Sequence, residues 1–483
     1  MLLSKLIEEY PTINLAGNLE VDITGIEHDS RRIREGDIFV AISGYTHDGH
    51  DYIEDAIKKG VKAIVHEKKV DLGEGVASIL VEDSVDALAY LTSKYFQHPW
   101  TNLNMIGITG TNGKTTTTYI IKHILETAGQ KSGIIGTLGV VIDKELIKTP
   151  NTTPDSLEIQ KSLDQMVKAG IEACVMEVSS HALDMKRVNH MAFDVGIFTN
   201  LSKDHLDYHK DMETYFNSKL KLFLETKKLN IINTDDAYGR RIVEQTSDRV
   251  KTITYGLRDA DIFASDIVYQ KSRPSFRLNT PKGSLDILLG IPGEFNIYNS
   301  LAAAATCFGL GVDLDDIKAG LESFKGVRGR FEEIETNKDF RVILDFAHTP
   351  EGVKEALKTI EKFAEGRIIV IIGAGGNRDK TKRPEMGRIA AQYSDLVIVT
   401  SDNPRFEDPE AIANDVLKGV LETDTDYRLI IDRKEAINYA IMNFRPKDTI
   451  FITGKGHEET ISIMGKEIPF NEREIVLDIL KKI

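Results

Sequence analysis

Apolar residues along this chain come in two rhythms, short unbroken runs that end in polar residues and helical stripes between them. The runs GDIFVAI (36–42), VKAIVHE (61–67) and ASILVED (77–83) predict strands, and stretches 51–59 and 84–96 predict helices. His98-Pro99-Trp100 then reads as a linker, because Pro99 disfavours helix in the residue before it. A new rhythm starts at Asn104. MIGITG (105–110) is a buried strand leading to a glycine turn, and TTTTYIIKHILETAG (115–129) is an amphipathic helix closed by Gly129. Thr153 and Pro154 predict the N-cap and first turn of a helix that runs to Ala169. ACVMEV (173–178), DVGIFTN (194–200) and LNIINTD (229–235) have the unbroken apolar character of buried parallel strands. A more polar stretch, roughly 250–290, alternates as antiparallel strands do, in TITYG, SFRLNT and LDILLG.

After Arg330 the rhythm is cleaner. RVILDFAH, RIIVIIGAGG, DLVIVTSDNP, YRLIID and DTIFITGKG are five strands separated by helical stretches, which predicts a doubly wound, Rossmann-like α/β unit. The expected organisation is an α/β chain of three domains, 1–100, 101–329 and 330–483. A length of 483 residues agrees, at roughly 150 residues per domain. In such sheets ligands bind beyond the carboxyl ends of strands, so the polar residues that follow the apolar runs are where chemistry is sought.

Composition narrows the classes. Net charge is −14, from 61 basic and 75 acidic residues, which argues against a sequence-independent nucleic-acid binder. Two cysteines, Cys174 and Cys307, exclude a disulfide framework and a cysteine-rich zinc site, and their apolar surroundings predict buried thiols. MLLSKLIEEY has no basic segment and places Glu8 and Glu9 where a signal peptide would be apolar, and no apolar run reaches the length of a membrane span. A cytoplasmic, reduced, monomeric globule is expected, with small-molecule substrates, no nucleic acid and no membrane insertion.

The first chemical signal is Gly107-Ile108-Thr109-Gly110-Thr111-Asn112-Gly113-Lys114-Thr115, between a strand and a helix. Glycines let backbone N–H groups turn inward, the helix N-terminus adds partial positive charge, Lys114 can reach outer phosphates, and Thr115 offers a hydroxyl to Mg²⁺. The strict phosphate-loop pattern wants glycine five residues before Gly113, and Ile108 stands there instead. Glu177 ends the run ACVMEV and His205 follows DVGIFTN, and each alone reads as a surface carboxylate or a loop histidine. With Thr115 they make an oxygen and nitrogen set suited to Mg²⁺. Lys219, in YFNSKLKLF, reads alone as a solvated helix lysine. Asn296 and Asn299, one turn apart, can face one ligand or cap the alanine-rich helix that follows.

These residues sit in longer motifs. GTNGKTT (110–116), NTTP (151–154), EVSSH (177–181), TNLSKDHLD (199–207), NIYN (296–299), GRFE (329–332) and DFAHTP (345–350) follow one another across nearly the whole chain. In order and spacing they resemble the Mur ligase family, whose phosphate loop carries this variant glycine pattern, and most nearly its diaminopimelate-adding members. The resemblance implies an ATP-dependent ligase of peptidoglycan precursor synthesis, with a central ATP-binding domain of the phosphate-loop type. It implies ATP contacts from Gly110, Thr111, Asn112, Gly113, Lys114, Thr115, Thr116, Asn296, Asn299, Arg330, Asp345 and His348. Glu177, His205 and Thr115 become metal ligands, and Lys219 a carbamylated lysine (N6-carboxylysine) that binds a second Mg²⁺. Lys114, Lys219, Glu177 and His205 form the implied catalytic set.

Ser30, Thr152, Thr153, Ser179 and Arg187 resemble contacts to a UDP-N-acetylmuramoyl dipeptide, and the loop 44–49 matches the region that holds uridine diphosphate. Where some relatives carry Gln two residues before that Arg, this chain has Met185. Arg378, Asp402, Asn403, Pro404, Arg405, Gly454 and Glu458 match contacts to the incoming amino acid. Meso-diaminopimelate differs from lysine by a distal carboxylate, and the planar fork of Arg405 suits that group. Glu458 suits the distal ammonium. Addition of L-lysine is the alternative. A folylpolyglutamate-synthase-like ligase would lack the first domain and the Asp402-Asn403-Pro404-Arg405 run. A plain phosphate-loop ATPase would leave Arg405 and Lys219 without a task, and a UDP-sugar-binding regulator would not need Lys114.

Overall fold

The computed structural model describes residues 1–44, 47–73, 75–270 and 273–483. Runs in residues 1–100 become a five-stranded sheet in the order Asn14–Ala16, Ala77–Leu80, Ala63–His66, Ile38–Val40, Ile26–Glu27. All neighbours are parallel except the first pair. The stretch 51–59 opens as a 3₁₀ turn, Gly49–Tyr52, before the helix Ile53–Lys58. Helix Ser84–Tyr95 is capped by Asp83, whose carboxylate accepts from Asp86 N. The expected linker at Pro99 is instead a 3₁₀ turn, Pro99–Asn102, tied back by Trp100 Nε1 donating to Ser93 Oγ at 3.1 Å.

The central sheet has eleven strands. At its middle, Asn104–Thr109 lies between parallel neighbours Ala173–Glu177 and Val195–Phe198. Both faces are covered. Ile106 and Ile108 pack with Ile120 and Ile124 of helix Lys114–Thr127, while Met105 and Met176 pack with Leu163 and Phe216 on the opposite face. The unbroken apolar character of these strands follows from this two-sided burial.

Two expectations need correction. TITYG is not antiparallel: Lys251–Gly256 pairs parallel with both Leu229–Asn233 and Ile262–Gln270. The helix Ala237–Thr246 intervenes, making a strand–helix–strand crossover that returns the chain in the same direction. Antiparallel pairing begins only with Arg273–Thr280 and Gly283–Leu288. The second correction concerns Thr153. Helix Ser156–Lys168 is capped by Asp155, which accepts from Glu158 N at 3.0 Å. Thr153 Oγ1 instead donates to Glu177 O at 2.7 Å and accepts from Ser179 N at 3.0 Å, so its hydroxyl is committed to the end of a strand.

Residues beyond Arg330 form a six-stranded sheet in the order Glu332–Ile334, Arg341–Asp345, Thr449–Thr453, Ile368–Ile372, Leu396–Val399, Asp426–Leu429. All but the first pair are parallel, and helices cover both faces, as a doubly wound unit requires. Among the described residues no helix is long and apolar enough to cross a membrane. Cys174 and Cys307 are buried free thiols whose pKa values burial pushes up.

One buried ion pair joins the last helix to this sheet. Arg433 Nε donates to Glu472 Oε1 at 2.6 Å, with both side chains at 0% exposure. The rest of the guanidinium donates to Ser401 O at 3.2 Å and Thr453 O at 2.8 Å, the carbonyls at two strand ends. Removing one partner strands a buried charge. Arg433→Met is expected to destabilise the fold by about 3–5 kcal/mol in urea unfolding, and Arg433→Met with Glu472→Met to recover much of that loss.

Candidate active site

The loop 110–113 lies against its neighbours more closely than a side chain would permit. A β-carbon at Gly110 (φ +152°) would stand 1.9 Å from Thr199 Oγ1, and one at Gly113 (φ +86°) 2.4 Å from Asn299 Oδ1. Thr199 Oγ1 donates to Asn112 O at 2.7 Å and Asn200 Oδ1 accepts from Asn112 N at 2.9 Å, which fixes the turn to the end of the next strand. Lys114 opens the helix and folds back, its ammonium donating to Gly110 O at 2.8 Å and Thr111 O at 2.9 Å. Burial pulls its pKa down.

Glu177 is fully buried at the end of its strand. Oε2 accepts from Thr115 Oγ1 at 2.9 Å and Thr137 Oγ1 at 3.0 Å, and Oε1 accepts from Thr137 N at 2.9 Å. A carboxylate has about four acceptor positions, so Oε1 keeps one free. His205 sits in the left-handed region (φ 55°) with its imidazole 3.5 Å from Asp204. Burial and the cations Lys219 and Lys114 hold it below the usual histidine range, neutral and able to ligate. Among the described residues no group of three or more His, Cys, Asp or Glu side chains stands ready to hold a metal. Mg²⁺ keeps waters and takes phosphate oxygens, so the Thr115 hydroxyl and Glu177 carboxylate, 2.9 Å apart, fit it, with the neutral His205 imidazole lining the same cavity.

Lys219 is 1% exposed, on helix Met212–Glu225. Its ammonium donates to Gly110 O at 3.1 Å and stands 4.5 Å from the centre of the Tyr215 ring. Burial, and secondarily the Lys114 charge, hold its pKa well below that of a free lysine.

A cavity of about 420 Å³ brings together Thr111–Thr116, Thr152, Glu177, His205, Arg330, His348, Arg378, Asp402, Asn403, Arg405, Gly454 and Glu458. Residues more than 300 positions apart therefore share one space. A second cavity, about 450 Å³, opens on the other side of the loop and holds Asn296, Asn299 and Asp345. The two asparagines lie within the helix Glu294–Gly309 rather than capping it, linked by Asn299 Nδ2 donating to Asn296 Oδ1 at 2.9 Å. Asp345 accepts from Phe331 N at 2.6 Å and Ala347 N at 2.8 Å, and burial raises its pKa against the pull of Arg330. Arg330 reaches across to donate to Thr115 Oγ1 at 3.1 Å while stacking 4.5 Å over Phe346. His348 is held by Phe346 O at 2.9 Å, with its pKa lowered by burial.

A third cavity, about 920 Å³, is lined by Ser30, Arg31 and Gly44 from the first sheet's surroundings and by Met185, Arg187 and Tyr208 from the central ones. Tyr45 and Thr46 of the loop 44–49 lie outside the described residues. Arg187 donates to Thr153 O at 2.7 Å, and the Met185 sulfur accepts weakly from it at 3.6 Å, so Met185 packs beside the guanidinium. Burial lowers the Arg187 pKa. Thr153 and Ser179 face each other at 3.3 Å behind the cavity walls.

At the far end of the first cavity, Arg405 is a non-glycine residue in the left-handed region (φ 52°). Its backbone is clamped there by Arg405 N donating to Ser462 O at 2.9 Å and Met464 N donating to Arg405 O at 2.6 Å. Such strain persists where the surroundings over-determine it. Its guanidinium donates to Gly376 O at 2.8 Å and faces the cavity with Arg378 nearby. Burial and the Arg378 charge lower its pKa. Pro404 is buried behind it.

Sequence reasoning missed three participants. Thr137 grips both oxygens of Glu177 and reaches Thr152 Oγ1 at 3.2 Å; a polar residue closing the run SGIIG was its signal. Tyr298 donates to Asp235 Oδ2 at 2.9 Å in the second cavity, and Asp235 ends the run LNIINTD. Lys455, between Gly454 and Gly456, is fully buried against Asn403 and Glu458.

Three family models match the chain: Mur ligase family, catalytic domain (22–98), Mur ligase middle domain (108–307) and Mur ligase, glutamate ligase domain (329–456). A UDP-N-acetylmuramoyl-L-alanyl-D-glutamate–2,6-diaminopimelate ligase of Caldanaerobacter subterraneus is 44% identical over 467 residues, 96% of each chain. One of the same name from Clostridioides difficile is 43% identical over the full length of both chains. A solved structure titled for the same ligase superposes with a TM-score of 0.71 at 30% identity, covering 100% of this chain and 99% of its own. The phosphate loop, the strand-end residues beside it and these full-length matches agree, and the chain belongs to the Mur ligase family.

Proposed function

We propose that this chain joins meso-2,6-diaminopimelate to UDP-N-acetylmuramoyl-L-alanyl-D-glutamate at the expense of ATP, in peptidoglycan precursor synthesis. The observation that carries the choice of amino acid is Arg405. Its fork faces a cavity that also contains the phosphate loop, and a second guanidinium stands beside it. A distal carboxylate satisfies that charge, whereas lysine leaves it unpaired. Relatives of the same length carry the corresponding name.

On this reading residues 1–100 and the Arg187 side of the third cavity hold the UDP-muramoyl moiety. Residues 101–329 hold ATP, and residues 330–483 hold diaminopimelate. The D-glutamyl γ-carboxylate attacks the γ-phosphoryl of ATP, releasing ADP and leaving an acyl phosphate. The amine of diaminopimelate then attacks the acyl carbon, loses a proton and expels inorganic phosphate. Lys114 and Arg330 hold the phosphoryl oxygens, Asn296 and Asn299 the adenine, and Asp345 and His348 the remainder of the nucleotide. Thr115, Glu177 and His205 would hold one Mg²⁺ and a carbamate on Lys219 a second. When bound, Mg²⁺ supplies neutralisation of charge developing on the phosphoryl oxygens. No protein nucleophile is needed, so rate comes from positioning and electrostatics.

The direct test is phosphate release from MgATP with the UDP-muramoyl dipeptide, comparing meso-diaminopimelate with L-lysine. Release that needs the dipeptide and strongly favours diaminopimelate is expected. Equal turnover with lysine overturns the role of Arg405, and release indifferent to both substrates overturns the ligase. Arg405→Ala is expected to lower kcat/KM for diaminopimelate by about 100-fold, the value of roughly 3 kcal/mol of charge-assisted hydrogen bonding. Competition kinetics with lysine will show whether the preference falls with it. The neutral, buried amine of Lys219 is suited to trap CO₂. Incubation with ¹³C-bicarbonate is therefore expected to give a carbamate carbon resonance in the wild type that is absent from Lys219→Ala.

A further inference from the structure

Lys455 carries an ammonium with 0% exposure, an arrangement that is rare for lysine and requires a compensating partner. It donates to Glu458 Oε2 at 2.8 Å and to Asn403 Oδ1 at 3.1 Å. The same Glu458 oxygen accepts from Asn403 Nδ2 at 2.7 Å, closing a three-membered ring of contacts. Asn403 Oδ1 also accepts from Ser462 N at 3.0 Å. Lys455 and Asn403 together thus join three segments: the loop after Leu396–Val399, the loop after Thr449–Thr453, and the hairpin Thr460–Ile463 with Lys466–Pro469, which Asn403 reaches through Ser462. That hairpin also clamps the backbone of Arg405.

The charges around this end of the cavity can be counted. Arg378, Arg405, Lys455 and Arg433 are cations, and Asp402, Glu458, Glu467 and Glu472 are anions, so the cluster balances only with Lys455 in it. Glu458 is therefore not a free carboxylate awaiting an ammonium. One of its oxygens is already held by a buried cation, and its pull on a bare ammonium is weakened accordingly. The two candidate amino acids differ in the charge they bring. Diaminopimelate carries an ammonium and a carboxylate at its distal end and is neutral overall; lysine carries the ammonium alone and is a cation.

We propose that Lys455 is a specificity-determining positioning residue, which orients Glu458 and Asn403 and, by holding Glu458, weakens the pull of that carboxylate on a lone distal ammonium. It lies behind the cavity wall and acts through Glu458, without touching substrate. Arg405 rewards the distal carboxylate, and Lys455 penalises its absence. This inference rests on the proposed amino-acid ligase activity.

The test compares wild type, Lys455→Met, Glu458→Gln and the double variant, measuring kcat and KM for meso-diaminopimelate and for L-lysine. In Lys455→Met, KM for diaminopimelate is expected to rise about tenfold, a 1.4 kcal/mol effect, with kcat and the KM for ATP little changed. The ratio of kcat/KM for diaminopimelate to that for lysine is expected to fall by at least that factor, because lysine loses its penalty at the same time. In the Glu458→Gln background, which leaves no unpaired carboxylate when Lys455 is removed, the second substitution is expected to change the ratio no further. A ratio that stays at the wild-type value in Lys455→Met, or equal effects of Lys455→Met in both backgrounds, overturns the proposal. Should Lys455→Met fail to fold, the double variant decides: a ratio equal to that of Glu458→Gln supports it, and a further drop overturns it. A wild type with no preference for diaminopimelate overturns the parent reading instead.

Discussion

The turn at 110–113 is pressed flush against Thr199, Asn200 and Asn299, and the geometry of the site follows from that closeness. Only glycine can occupy positions where a β-carbon would fall 1.9 Å and 2.4 Å from neighbouring oxygens. The turn lies at the carboxyl end of the central strand, and parallel strands on either side deliver Glu177 and Asn200 to the same edge. Its outward carbonyls are then taken by two ammonium groups, Lys114 from the helix it starts and Lys219 from a helix behind it. Two cations within one buried loop repel each other, and burial favours the neutral form of both. Such a loop, with inward-turned N–H groups and a helix N-terminus, suits a polyanion.

The elements that sequence makes legible are those governed by local pattern. Parallel strands buried on both faces announce themselves as unbroken apolar runs, and MIGITG, ACVMEV and RIIVIIGAGG all stand where pattern puts them. What pattern misjudges is decided by tertiary competition. Thr153 has the chemistry of an N-cap, but its hydroxyl is drawn to Glu177 O, and Asp155 two residues on takes the cap. TITYG alternates like an antiparallel strand, yet the helix before it returns the chain in parallel. The hairpin of Ser132–Gly136 with Gly139–Ile142 escapes because three glycines blur its apolar run.

The site divides in the same way. Lys114 can be singled out from its glycine-rich turn alone, whereas Glu177 and Arg405 draw their weight from the longer motifs around them. Thr137 closes an apolar run, but that signal does not rank it above other such residues, and Lys455 carries none. Each is an ordinary residue made important by what it grips, and the grip depends on segments distant in sequence: Thr137 on Glu177, Lys455 on Asn403.

The contacts that join the central sheet's surroundings to the third sheet's have a different character from the cores beneath them. Arg330 donates to Thr115, Lys382 stands 3.8 Å from Asp204, and Lys148 pairs with Glu459. These are long, charged side chains meeting across a polar cavity, whereas each sheet is sealed by aliphatic packing. Polar contacts of this kind are typical between domains of one chain, where relative motion is the default expectation. The first cavity runs between those parts, so a change in their separation would change its width and leave its walls intact. A nucleotide that draws Arg330 and Lys114 onto its phosphates, and an amino acid that engages Arg405, would each favour the narrow arrangement. The reacting atoms would then be brought together by the substrates' own charges, within a frame whose strand ends need not move.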